Sequence, residues 1–258
     1  MPFIHHHRLT NRATKIALMA ILGLPLALST GCASWLDNAV ADAIITPRDK
    51  VPAAAQAESM GPHMLMTRKT APQADDHNYA NILADQLKQA IEPYKDVKKA
   101  EADGYRSFPP EPSPELKEIH YVHRKFSAGE ADKINPQKPG SLLYQRNEDG
   151  GLTLVGAMFT APPSASLDEL DRRVPLSVTR WHLHTDICVP IPLWDEEEWG
   201  RTLRSGEPVF GPESPVASQR SCDAVGGRFA PVIFGWMAHA YVYENSPSAV
   251  WSPMHTGH

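Results

Sequence analysis

Residues 181–188, WHLHTDIC, combine a strand pattern with two closely spaced histidines. Side chains alternate between the two faces of a strand, so the four even-numbered residues of this stretch are predicted to share one face. They are His182, His184, Asp186 and Cys188. Alternate residues lie about 7 Å apart along a strand, which lets two imidazoles reach one metal ion through bonds of about 2 Å. The stretch therefore predicts a strand and a pair of metal ligands.

Two further histidines fall in stretches with a strand pattern. His120 lies within residues 118–124, where His123 would point to the opposite face of a regular strand. His239 lies within residues 236–244, among bulky apolar and aromatic neighbours. Several neutral imidazoles on neighbouring strands suit zinc, copper or iron. The predicted metal ligands are His120, His182, His184 and His239.

Asp186 is predicted to serve this site, either as a further ligand or as an acceptor that orients an imidazole N–H. The chain has no GxSxG, HExxH, CxxCH or P-loop motif, so neither a haem nor a nucleotide cofactor is expected. Whether the protein is an enzyme stays open. In an enzymatic version the metal would activate water or dioxygen, and Asp186 or Glu118 would move protons.

The first 32 residues have the pattern of an export signal. Basic residues precede an apolar stretch at 16–28, which is short for a membrane span. Residues 28–32, LSTGC, resemble the lipobox of bacterial lipoproteins, with Ser29 at the usually aliphatic position. An ordinary cleaved signal or an uncleaved anchor is the alternative. The resemblance implies that Cys32 carries a lipid, and Ala33 after it favours the outer membrane of the cell envelope.

Three cysteines are present in the whole chain. With Cys32 assigned to lipid, Cys188 and Cys222 form an even pair in an oxidising compartment, where a disulfide is expected. The alternatives are two unrelated buried thiols, or Cys188 as a metal ligand beside the histidines. The bridge is the leading expectation.

The composition describes one globular unit with long irregular connections. The chain has 258 residues, 24 of them proline, and a formal net charge of −5 without a dense basic block beyond its N-terminus. Nucleic acid is therefore not an expected partner. Residues 33–74 are rich in Ala, Pro and Thr without a sustained period, which predicts a flexible tether. The globular domain is predicted at 75–258.

An amphipathic helix is predicted to open this domain. Asp75 and Asp76 suit a helix N-terminus, and the apolar residues that follow recur at spacings of three and four. Pro93 is expected to kink the helix or split it in two, and Gly104 is placed to end the second part. The apolar stripe predicts packing against the core.

Beyond residue 105 the pattern changes to short strands. They are predicted at 118–124, 141–145, 152–159, 177–190, 228–234 and 236–244. Residues 147–151, NEDGG, predict a hairpin turn. Residues 193–227 read as one long excursion with a short helix near 195–204. The predicted fold class is α+β, with an N-terminal helical segment packed on a mostly antiparallel sheet or small barrel.

The domain also resembles a family of uncharacterised exported bacterial and archaeal proteins. The resemblance rests on short pieces: DGY at 103–105, HYV at 120–122, LLY at 142–144, LVGAM at 154–158 and AHAYV at 238–242. His123 stands where that family usually has Asn, and Ser246 interrupts its Asn-Pro turn. The resemblance implies no activity, but it favours His120 and His239 as a matched pair.

Two functions are consistent with these features. The first is a lipid-anchored extracytoplasmic protein with a histidine-rich metal site, for metal handling or for an unidentified metal-dependent reaction. The second is a non-catalytic envelope lipoprotein that binds a protein or glycan partner through exposed aromatic residues. The tryptophans considered for this role are Trp181, Trp194, Trp199, Trp236 and Trp251.

Overall fold

One eight-stranded antiparallel sheet organises the domain, in the order β1-β2-β7-β8-β6-β5-β4-β3. The computed structural model describes residues 44–110, 112, 116–131 and 133–255. The strands are β1 (Glu58–Ser59), β2 (Met64–Met66), β3 (Arg106–Phe108), β4 (Glu118–Val122), β5 (Ser141–Arg146), β6 (Leu152–Ala161), β7 (His182–Val189) and β8 (Arg228–Ala240). The sheet does not close into a barrel, and the predicted α+β class is confirmed.

Seven helices accompany the sheet in the described part of the chain. They are α1 (Asp76–Ile91), α2 (Val97–Ala102), α3 (Arg124–Gly129), α4 (Leu167–Arg173), α5 (Glu196–Trp199), α6 (Gln219–Ala224) and α7 (Pro247–Val250). Three 3₁₀ turns span Arg48–Lys50, Pro52–Gln56 and Glu92–Lys95. None of the helices described is long and apolar enough to cross a membrane.

The predicted helical segment is confirmed. The apolar stripe of α1 is buried against the sheet in the main core, through Ala80, Leu83, Leu87 and Ile91. Pro93 lies in the 3₁₀ turn that separates α1 from α2, because proline cannot continue the ladder of N–H donors. Asp96 then caps α2 by accepting a hydrogen bond from the Lys98 amide.

The prediction of a flexible tether at 33–74 is wrong for residues 44–74, while residues 33–43 and the signal with Cys32 lie outside the described residues. Strand β2 pairs with β7, placing Met64 opposite His184 and Met66 opposite His182. Val51 and Ala53 are buried in the main core. A strand of three residues is too short to show a period, which is why the sequence pattern indicated a tether.

Strand β8 merges two predicted strands. The pattern predicted a break at Gly235, but the strand runs through it with a register irregularity against β7. Phe234 adopts a φ of 63°, and a Cβ on Gly235 would lie 2.2 Å from the carbonyl oxygen of Ala161. The close approach of β6 requires glycine there, and the strand bends without ending.

The sheet curls strongly, so that its two halves face each other. Phe108 on β3 and Phe234 on β8 have ring centroids 5.3 Å apart, although three strands separate β3 from β8 in the sheet. At Gly156 a Cβ would lie 2.1 Å from the carbonyl oxygen of Ala240, so the paired strands β6 and β8 approach closely there. The face enclosed by the curl is called the concave face below.

A buried carboxylate fastens the end of α3 to the sheet. Glu130 is 1% exposed, and its two oxygens accept from the Gly140 amide at 2.8 Å, the Thr160 amide at 2.8 Å and the Thr160 hydroxyl at 2.6 Å. Burial raises the pKa of Glu130 to about 7, against the lowering effect of these hydrogen bonds.

The long connection between β7 and β8 is held by the predicted disulfide. Cys188 on β7 and Cys222 on α6 form a disulfide, with Cα atoms 5.5 Å apart. This excludes Cys188 as a thiolate ligand. Helix α5 lies within the short helix predicted near 195–204, and the NEDGG turn joins β5 to β6 through a hydrogen bond from the Asn147 amide to the Gly151 carbonyl.

Candidate metal site

Three strands bring the chemistry-bearing side chains to the concave face. Strand β4 carries Glu118 and His120, β7 carries His182 and His184, and β8 carries His239. His182 is opposite Met237 in the pairing of β7 with β8, so it shares a face with His239 two residues further along β8. The curl then closes the distance between β4 and β8, which are separated by two strands in the sheet.

The tightest group consists of Glu118, His120 and His239. One ligand atom from each lies within 4.8 Å of the others, and among the residues described this is the group of His, Cys, Asp and Glu side chains that can hold a metal ion. The Glu118 Oε1 atom is 3.5 Å from His120 Nε2 and 3.6 Å from His239 Nδ1. Two ligands bound at about 2.1 Å with tetrahedral angles lie about 3.4 Å apart. The group therefore has the spacing of a metal site.

The four predicted histidines form a row. The ring centroids are 5.4 Å apart between His120 and His239, 4.7 Å between His239 and His182, and 5.5 Å between His182 and His184. Each pair is close to perpendicular. His120 and His239 join the tight group, whereas His182 and His184 continue the row towards β2 and the edge strand β1. The histidines converge on the same face, but around more than one point.

Burial keeps the inner imidazoles neutral. It lowers the pKa of His182 and His239 well below their usual range, and the neighbouring histidines act in the same direction. Burial likewise lowers the pKa of His184 to about 4. A neutral imidazole retains the lone pair that a metal requires. Each of the three rings also has one buried nitrogen without a hydrogen-bond partner among the described residues: His182 Nδ1, His184 Nδ1 and His239 Nε2.

Tyr241 links two members of the tight group. Its hydroxyl donates to Glu118 Oε2 at 2.8 Å and lies 2.8 Å from His239 Nδ1. Since the hydroxyl proton goes to Glu118, the phenolic oxygen accepts from the N–H at Nδ1. Burial, followed by the nearby Glu118 charge, raises the pKa of Tyr241 and keeps it protonated. A metal ion at Nδ1 would require the other tautomer of His239, with its proton on Nε2, and would take the place of the hydrogen bond to Tyr241.

From the sequence, Glu118 was predicted only to transfer protons, and no role was predicted for Tyr241. Both could have been found from alternation, because Glu118 lies two residues before His120 and Tyr241 two residues after His239. Alternation cannot show that these strands meet, since β4 and β8 are not neighbours in the sheet. The curl that joins them is a property of the whole sheet.

The role predicted for Asp186 is wrong. Its carboxylate accepts from Arg48 Nη2 at 2.6 Å instead of orienting an imidazole, and it is not part of the tight group. The physical cause is the backbone at Asp186, where a φ of 55° interrupts the regular alternation of β7. The prediction that all four even-numbered residues share one face therefore does not hold beyond His184.

The tryptophans proposed as partner anchors lie in the interior or at its margin. Trp181, Trp236 and Trp251 are at most 2% exposed. Trp194 and Trp199 are half-buried, and both pack edge-on against the ring of Phe108. In the described part of the chain these five rings support the core rather than offer an exposed aromatic surface.

The donor set defines what the site can do. Two imidazoles and one carboxylate suit zinc or non-haem iron(II), which leave further positions for water or substrate. The side chains of His120 and Glu118 are 25% and 24% exposed, so the group can be reached from solvent.

Comparisons with protein-family models, curated proteins and solved structures gave no match to this chain.

Proposed function

We propose that this protein binds a divalent transition-metal ion through Glu118, His120 and His239 on the concave face of the sheet. The observation that supports this most directly is the mutual spacing of the three ligand atoms, within 4.8 Å. The neutral state of His239 adds to it. The protein would then serve either in metal handling or in a reaction of metal-bound water. In the second case His182 would lie beside the reacting water.

Zinc is the first ion to test, because two histidines and a carboxylate with water in the fourth position form a common zinc centre. Iron(II) is the second, since the same donors on one side of the ion leave positions open for other ligands. Nothing in this donor set favours a soft ion, because it contains an oxygen and no sulfur ligand.

The test is metal content and zinc affinity of the full chain. His5, His6 and His7 are replaced by alanine and Cys32 by serine, because these residues would bind metal themselves. The protein with these four substitutions is called the silenced background and is the reference for all metal measurements. We expect about one equivalent of zinc by elemental analysis. His120→Ala or Glu118→Gln should weaken binding by about 100-fold or more, because even side chains that only orient a ligand contribute roughly 10- to 100-fold.

His77→Ala is the matched control, since it removes an exposed histidine of α1. It should leave zinc affinity unchanged. His120 and Glu118 are both partly exposed, so their variants are expected to fold, and circular dichroism checks this. Equal zinc affinity in the folded His120→Ala protein and the silenced background would contradict the proposed site.

We also propose that the protein is anchored to the cell envelope by a lipid on Cys32, as the LSTGC sequence suggests. Lipidation would hold the domain on the extracytoplasmic side, where the oxidising environment is consistent with the disulfide. Expression of the intact chain with a radiolabelled fatty acid should label it and place it in the membrane fraction. Cys32→Ser should abolish both; labelling that persists in this variant would refute the anchor.

A further inference from the structure

A cleft lies at the other end of the histidine row. It has a volume of about 190 Å³ and is lined by the turn that joins β1 to β2, by His184, and by Pro212 and Glu213. The turn contributes Met60, Gly61, Pro62, His63 and Met64. No member of the tight group lines this cleft, so it is a separate place on the molecule.

Two methionines and one histidine line the same cleft. Met64 is directly opposite His184 in the pairing of β2 with β7, so the two side chains share a face at the distance of cross-strand neighbours. Met60 joins them because its amide donates to the Met64 carbonyl at 2.9 Å across the turn. Met60 is 49% exposed, and a methionine thioether is a soft metal ligand.

His63 fixes this turn and does not compete as a ligand. Its ring is buried, with Nε2 at 2.6 Å from the Ser214 carbonyl oxygen and Nδ1 at 3.2 Å from that of Thr185. The Thr185 amide in turn donates to the His63 carbonyl at 3.0 Å. Both partners are carbonyl oxygens, so a neutral ring donates to one of them, and the turn that carries Met60 and Met64 is held against β7.

His184 supplies the polar group that requires a partner. Its Nδ1 atom is buried and has no hydrogen-bond partner among the residues described. A buried imidazole nitrogen that lacks a partner costs free energy, and a bound ion at this nitrogen would remove that cost. The same histidine lines the cleft, and the exposed Glu213 at its rim favours a cation.

We infer that this cleft is a binding site for Cu(I), held by the sulfur atoms of Met60 and Met64 and the imidazole of His184. Soft thioether ligands select Cu(I), whereas zinc and iron(II) prefer the harder nitrogen and oxygen donors of the tight group. The chain thus carries a soft site and a harder site on the same row of histidines. This inference does not depend on zinc binding at Glu118.

The experiment is anaerobic titration of the full chain in the silenced background with Cu(I), supplied as its acetonitrile complex and competed by bicinchoninate. We expect one equivalent to bind. The double substitution Met60→Leu/Met64→Leu should weaken it about 100-fold or more while leaving zinc affinity unchanged. Leucine conserves volume and removes only the sulfur atoms, so the fold should be retained. X-ray absorption should show sulfur neighbours of copper that the double variant lacks.

Met254→Leu is the matched control, because Met254 is 60% exposed and does not line the cleft. It should bind Cu(I) as the background does. Glu118→Gln should lose zinc and keep Cu(I), so failure of one site is distinguishable from failure of the other. Equal Cu(I) affinity in the folded double variant, or no Cu(I) binding in the background, would overturn the inference.

Discussion

The metal-free protein should lose about 3 to 4 kcal/mol of its free energy of unfolding between about pH 7 and pH 5. The cause is the burial of His182, His184 and His239 in the neutral state. Their pKa values are lowered in the folded protein, so the unfolded chain, with histidine pKa values near about 6.5, takes up protons that the folded chain does not. Stability contributed by these rings is present above that pH and is lost below it.

Glu130 acts in the opposite direction within the same range. Its pKa is raised to about 7, so the folded protein binds a proton there before the unfolded chain does, and its stability rises as the pH falls towards the ordinary value near 4.5. Between pH 7 and pH 5 the three histidines lower the free energy of unfolding by about 5 to 6 kcal/mol. Over the same range Glu130 raises it by about 2 kcal/mol. The histidines therefore dominate, and the net effect of acid is destabilising.

Chemical denaturation at a series of pH values, after removal of metal by chelation, measures this effect. His184→Gln removes one of the three titrating rings and should reduce the loss by about one third of the histidine contribution. His77→Ala removes an exposed histidine and serves as the control that keeps the full loss. Stability that does not change between pH 7 and pH 5 would show that the rings are not held neutral.

Removal of the disulfide should cost about 3.5 to 4 kcal/mol of the free energy of unfolding. Cys188 and Cys222 are separated by 34 positions, and closing a loop of this length restricts the unfolded chain by about that amount. The bridge also fixes α6 against the end of β7, in a small cluster with Val209, Phe210 and Val216. Urea denaturation of Cys188→Ser/Cys222→Ser beside the oxidised parent protein provides the measurement.

The single variants give a sharper criterion than the double one. Each single substitution already opens the loop, so both singles and the double should lose similar amounts, within about 1 kcal/mol. Losses that add up in the double variant would mean that the two sulfur atoms act as separate buried groups. A reductant added to the parent protein should reproduce the loss, and it should leave the double variant unchanged.

Local patterns predicted the local parts of this fold. The stripe from Ala80 to Ile91 and the proline after it defined α1 and its end, because helix period and proline chemistry act within a few residues. The NEDGG turn defined a hairpin for the same reason. The N-terminal strands were missed, since β2 exists only because β7 has a free edge for it to pair with.

The candidate site was predicted in part for a related reason. His120 and His239 were chosen from their strand patterns, and both lie in the tight group. Asp186 was assigned from strict alternation, which a single residue with positive φ interrupts. Glu118 enters the group because the sheet curls, and Met64 faces His184 because β2 pairs with a strand far along the chain. These juxtapositions depend on tertiary structure that no single stretch encodes.

The curl of the sheet has a consequence for the order in which the protein matures. Glu118 and His120 belong to an early strand and His239 to the last one, with β5 and β6 formed between them. A growing or partly folded chain thus lacks the assembled group of three ligands, and a metal ion at the proposed site would bind only after the final strand has docked. Metal loading would then be a checkpoint that reports completed folding, and an ion present at a thousand times its Kd would add about 4 kcal/mol to the stability of the finished domain.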